Sequence, residues 1–201
     1  MTVYVESNFV LEIALGQMDA PAAERILDSA QLGEFALAIP SFALFEPFIT
    51  VRDRRSRRNH LMNQMNKEMR ELKRSQPHED DVLGIEPIAD RFTAIDEREH
   101  RRLIFTIQRM FDVAEVIEIV PEIYGEAIHT AQDFGLKLQD AIIGAAALWH
   151  LHQAMAAGPH YFATRDVSDF SDPVIVARFA DFGCEIVPTF AECAQRVWSG
   201  R

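Results

Sequence analysis

Short apolar runs alternate along this chain with longer stretches whose apolar residues recur at helical spacing, and that alternation most constrains the fold. The run "VYV" (3–5) precedes a helical pattern of Phe9, Val10, Ile13 and Ala14 that stops at Gly16. The run "FALAI" (35–39) precedes Pro40-Ser41, with Ser41 suited to cap the next helix. The run "EVIEIV" (115–120) precedes a helix opened by Pro121 and broken by Gly135. "YFAT" (161–164) and "EIV" (185–187) flank "PVIVARFADFG", a short helix stopped by Gly183. Strands alternating with helices predict an α/β domain with a central, mainly parallel sheet flanked by helices.

The remaining segments read as helices. Pro21 opens one over about 22–32, closed by Gly33. The helix after Ser41 carries Phe42, Phe45, Glu46 and Ile49 and runs on into "VRDRRSRRNHLMNQMNKEMRELKRSQ". That segment holds Arg52, Arg54, Arg55, Arg57 and Arg58, then Lys67, Arg70, Lys73 and Arg74, with a stripe of Leu61, Met62, Met65, Met69 and Leu72. Residues 75–86 read as a polar loop, and 87–111 as an amphipathic helix. Asp140 begins a further helix, "DAIIGAAALWHLH".

A chain of 201 residues is long enough for one domain with a full core and short for two. No apolar run approaches the roughly 18–20 residues that span a bilayer, and the N-terminus lacks the basic and apolar regions of a signal peptide. The expectation is a cytoplasmic protein with no membrane partner. Cys184 and Cys193 are not spaced as C-x-x-C, so they suggest neither a zinc ribbon nor a thioredoxin-type site and read as two buried or semi-buried thiols. The net charge of −11 argues on average against a nucleic-acid partner, but the basic residues are concentrated at 52–58 and 67–74.

Ligands of parallel α/β sheets bind at the carboxyl ends of the strands. Glu6 follows the first strand, and Asp166 and Asp169 follow the strand at 161–164. Asp140 opens an otherwise apolar helix, and Glu46 interrupts the apolar "FALFEPF", where a charge is expensive unless paired or ligating. Each has a plainer reading. Glu6 fits an exposed strand end, Asp140 a helix N-terminus, Glu46 a solvent-facing position, and Asp166 and Asp169 a turn or cap.

Taken in order, the set resembles the PIN domain, a metal-dependent nuclease fold. The matching residues are Glu6-Ser7-Asn8, then Glu46, then Asp140-Ala141 with Ile142, Ile143 and Ala145–Ala147, then Thr164-Arg165-Asp166 with Asp169-Phe170. The family normally carries Asp where this chain has Glu6. The resemblance implies a PIN-like three-layer α/β domain over 1–201, with residues 51–111 as a basic helical insertion or arm that no motif covers. It implies Glu6, Glu46, Asp140, Asp166 and Asp169 as catalytic carboxylates holding Mg²⁺ or Mn²⁺, hard ions that prefer oxygen ligands. Ser7, Asn8 and Thr164 would orient them or the substrate. The implied activity is hydrolysis of single-stranded RNA, as in the endoribonuclease toxins of toxin–antitoxin pairs, with an antitoxin protein as partner. Arg52, Arg54, Arg55, Arg57, Arg58 and Arg165 would then bind RNA, against the plainer reading of a solvated helix face. The Met and Leu stripe suits core packing or a homodimer surface.

Other readings compete. A PIN-like scaffold that no longer cleaves would bind RNA or a partner protein. A receiver- or phosphatase-like domain would want Asp after the first strand and Lys after a late one, where this chain has Glu6 and Thr164-Arg165-Asp166. In "HLH", His150 and His152 fall on different sides of a helix, unlike the i, i+4 pair of a helical zinc motif.

Overall fold

A computed structural model of the chain describes residues 1–74, 86–154 and 158–199. Most of the loop expected at 75–86 lies outside the described residues. Five strands form one all-parallel sheet in the order β3-β2-β1-β4-β5: β1 (Thr2–Val5), β2 (Ala36–Pro40), β3 (Glu115–Ile117), β4 (His160–Ala163) and β5 (Cys184–Val187). β1 is central, and all four of its residues are buried, as a strand covered on both faces requires.

The described helices are α1 (Ser7–Leu15), α2 (Ala20–Gln31), α3 (Ser41–Lys73), α4 (Glu86–Val113), α5 (Pro121–Phe134), α6 (Leu138–Ala154), α7 (Val167–Phe170), α8 (Pro173–Ala180) and α9 (Phe190–Ser199). They fall into packed groups. α1 lies against α2, α3 and α4, and α2 against α9, while α5 pairs with α6, which also reaches β2 and β3. The architecture is α/β with a parallel sheet, as expected.

Several boundaries differ from the sequence reading for identifiable reasons. β3 stops at Ile117 rather than 120 because Ile117 pairs with Pro40, the last residue of β2, so nothing remains beside residues 118–120 to pair with. Ser41 is the first helical residue of α3; Pro40 takes the extended cap position. Asp140 is the third residue of α6, in its first turn. α3 runs 33 residues without a break, about 50 Å at 1.5 Å per residue, despite Pro47, which removes a backbone donor beside Glu46.

The stretch 51–111 divides physically. Val51 at one end and Leu103, Ile107 and Met110 at the other belong to the hydrophobic core. Between 52 and 73 only Met62 is buried, and Leu61 of the same stripe is exposed. Arg58 ties this part of α3 to α4. Its guanidinium donates twice to Glu99, at 2.8 Å each, and also to Asp96, while Arg54 lies 3.6 Å from Glu99.

The two histidines of "HLH" do separate work. His150 accepts from the Tyr4 hydroxyl or donates to it at 2.9 Å, and its other ring nitrogen lies 3.2 Å from Glu115. His152 packs edge-on against Phe182. Cys184 and Cys193 are buried free thiols, and burial pushes the pKa of both up. No helix among the described residues is long and apolar enough to cross a membrane.

Candidate functional site

The sheet order creates a crevice. From β1 the chain moves outward on one side to β2 and β3, then passes to the other side for β4 and β5. The carboxyl ends of β1 and β4 therefore border the point where strand order reverses, the usual ligand position in open α/β sheets. Val5 pairs with Ala163, so the next residues, Glu6 and Thr164, meet across this crevice.

Glu6 is only 2 % exposed, which disposes of its reading as an exposed strand end. It caps α1, its Oε2 accepting from the Asn8 backbone N–H at 3.1 Å and from the Ser7 hydroxyl at 3.2 Å. Its Oε1 accepts from the Thr164 hydroxyl at 3.2 Å. Burial pushes the Glu6 carboxyl up to about 7; the Asp166 charge adds to this and the Asn8 and Ser7 donors oppose it.

Thr164 is fully buried, and its oxygen also accepts from the Asp166 backbone N–H at 3.0 Å, a local turn bond that fixes the loop after β4. Asp166 occupies the cap position of α7 without capping it. Its Oδ2 instead accepts from the Asn8 side-chain amide at 2.7 Å, linking the two strand ends a second time. Ser7 and Thr164 thus donate to Glu6, and Asn8 to both Glu6 and Asp166.

Asp140 arrives from α6. One of its oxygens, Oδ2, is buried with no hydrogen-bond partner. Burial pushes its carboxyl up to about 6, the Asp169 charge raises it further, Lys137 opposes, and Asp166 and Glu46 add to the rise. Asp140, Asp169, Asp166 and Glu46 therefore share one electrostatic environment although they come from three helices and a loop. Gly144, one turn beyond Asp140, lets α7 approach: a Cβ built there would stand 3.0 Å from the Phe170 ring, tighter than normal packing. Phe170 follows Asp169 directly, so this contact sets the acidic loop against α6.

The donor set is all-oxygen and anionic, and the unpartnered Asp140 Oδ2 is the kind of atom a cation satisfies; these residues fit a hard divalent ion. As the side chains stand, no three His, Cys, Asp or Glu among the described residues are grouped closely enough to hold one. Mg²⁺ commonly uses one or two carboxylates and keeps its other positions for water, so a closed cage is not what such a site requires. Asp140 with Asp169, Asp166 and Glu46 would be the holders. Glu6 is committed to three donors of its own chain.

The arginines part company. Arg54, Arg57 and Arg58 surround one cleft with Thr50, on the helical face that Glu46 also occupies. Arg52 and Arg55 line another with Phe48, Asp96 and His100. Arg58 is neutralised by Asp96 and Glu99, Arg52 pairs with Asp53 at 2.9 Å, and Arg57 donates to the Asp53 carbonyl at 3.4 Å. Arg165 pairs with Glu12, a fully buried carboxylate on α1 that the sequence reading passed over. The signal was present: Glu12 interrupts "FVLEIAL" just as Glu46 interrupts "FALFEPF".

Compared with known proteins, the chain matches no protein-family model, no curated protein and no solved structure.

Proposed function

We propose that this chain is a PIN-like, Mg²⁺- or Mn²⁺-dependent ribonuclease that hydrolyses phosphodiester bonds of single-stranded RNA, and that its three-layer domain carries the basic part of α3 as an arm for the RNA backbone. The observation that carries this reading is Asp140: a carboxylate with one buried, unpartnered oxygen, held in the field of Asp169, Asp166 and Glu46 beside the reversal of strand order. A divalent ion bound there would neutralise the incoming phosphate and lower the pKa of a water for attack. The chain's own residues would do the rest. Asp140 and Asp169 present negative oxygens to the ion. Asn8 keeps Asp166 oriented by donating to its Oδ2. Glu6 and Thr164 lock the two strand ends together beneath them. Arg54 and Arg57, two to three turns along α3 from Glu46, meet phosphates and carry no sequence information. A toxin-type role in the cytoplasm, restrained by an antitoxin, and pairing of two copies belong to the same proposal.

A second reading is a PIN-like module that binds RNA or a protein without cleaving. It is favoured by Glu6, where a longer side chain than the family's Asp spends both oxygens on Ser7, Asn8 and Thr164. Incubation of the protein with mixed single-stranded RNA in Mg²⁺, Mn²⁺ and EDTA, beside Asp140→Asn, separates the two. The nuclease requires metal-dependent cleavage reduced at least about 100-fold in the variant. Absence of cleavage together with no calorimetric Mg²⁺ or Mn²⁺ binding leaves the binding module.

A further inference from the structure

We propose that Glu12 is a positioning residue: through Arg165 it holds the loop between β4 and α7, and with it Thr164 and Asp166, against the carboxyl end of β1. This rests on the ribonuclease reading for its consequence in catalysis, but not for the anchoring itself.

Glu12 is 0 % exposed, among the buried Phe9, Val10, Leu11 and Ile13 of α1. An ionised carboxylate in such surroundings persists only with a charge partner and hydrogen bonds. Both are present. Its Oε2 accepts from the Asp19 backbone N–H at 3.0 Å, while its Oε1, which accepts no hydrogen bond, is matched by the charge of the Arg165 guanidinium. Gly16 makes this geometry possible. It ends α1 in the left-handed conformation (φ 60°), so the chain turns back and delivers the Asp19 N–H to the side chain one turn earlier. The same turn adds Gln17, whose Oε1 accepts from Arg165 at 3.4 Å. The guanidinium is gripped by two residues of one turn.

Arg165 lies between the two loop residues that face the crevice. Thr164 bonds to Glu6 and Asp166 to Asn8, each through a single side-chain hydrogen bond. The Glu12 pair is the one charge–charge anchor of this loop to α1 among the described residues. It also gives Arg165 a structural task, in place of the RNA contact that its neighbourhood in the sequence suggests.

The test is Glu12→Gln, which keeps an acceptor for the Asp19 N–H and removes the charge, beside Arg165→Gln and the double variant. In the metal-free protein, amide hydrogen exchange at Asp166 and Asp169 is expected to quicken at least tenfold in both single variants, with β1 and β4 as protected as in the parent. Both amides bond within the loop, to Thr164 Oγ1 and to the Asp166 carbonyl, which makes them reporters of its order. In RNA cleavage, kcat is expected to fall at least tenfold in each with KM for RNA unchanged, and the double variant to be no worse than either single one. Unchanged exchange at Asp166 and Asp169 would overturn the proposal. So would a raised KM in Arg165→Gln that Glu12→Gln does not share, since Arg165 would then be a phosphate contact. Quickened exchange in both single variants of a parent protein that cleaves no RNA would sustain the anchor and remove the ribonuclease reading.

Discussion

Glu6 offers a quantitative test of how this site is built. Its carboxyl rises from an ordinary value of 4.5 to about 7, first because it is buried and then because Asp166 faces it. A carboxyl whose folded value lies above its unfolded one adds stability that is complete below pH 4.5, is lost as pH rises through 7, and is absent above. At about 1.4 kcal/mol per tenfold difference in proton affinity, the ionised form costs the fold about 3 kcal/mol. Most of this, on the order of 2–3 kcal/mol, is lost between pH 5 and pH 8. Glu6→Gln removes the titration while keeping an oxygen for the Asn8 N–H and the Ser7 hydroxyl, and the Thr164 hydroxyl can turn to accept from the amide. Urea unfolding in EDTA at pH 5 and pH 8 measures the effect as a difference of differences. The parent is expected to lose about 2–3 kcal/mol more than Glu6→Gln over that interval, with other titrating groups common to both. Parallel profiles would mean that burial of Glu6 is not charged to the fold, and the reasoning would fail. Saturating Mn²⁺ should shrink the parent's loss, because a nearby cation favours the ionised form.

Two further outcomes follow from the same contacts. Thr164→Val removes the donor to Glu6 Oε1 and the acceptor of the Asp166 N–H. It should destabilise the protein by about 1–3 kcal/mol and move the Glu6 carboxyl still higher in an NMR titration of its side-chain carbon; an unmoved titration would refute the contact. Arg58→Met leaves Asp96 without its guanidinium and Glu99 with only the more distant Arg54, and should cost about 1–3 kcal/mol in thermal unfolding, whereas Arg55→Met, with no such partner among the described residues, should stay within about 0.5 kcal/mol.

The strands and helices were legible because their signals are local. A short apolar run, a proline at a helix start and a glycine in the left-handed conformation act within a few residues, and they placed β1, β2, β4 and β5 and the helices between them. The order of the carboxylates was legible too, since parallel strands put successive strand ends on one edge of the sheet. Their roles were not. Nothing local to Glu6 shows that Thr164, 158 residues away, donates to it. Nothing local to Arg58 shows that α4 brings Asp96 and Glu99 beside it. Nothing in the sequence around Arg165 shows that α1 presents Glu12 to it. By itself the sequence determined the α/β class, the alternation and the edge of the sheet on which acidic residues gather. Only the tertiary structure decided which charges are already spent, because a charge is neutralised by whatever the fold brings within a few ångströms, however far apart the two lie along the chain.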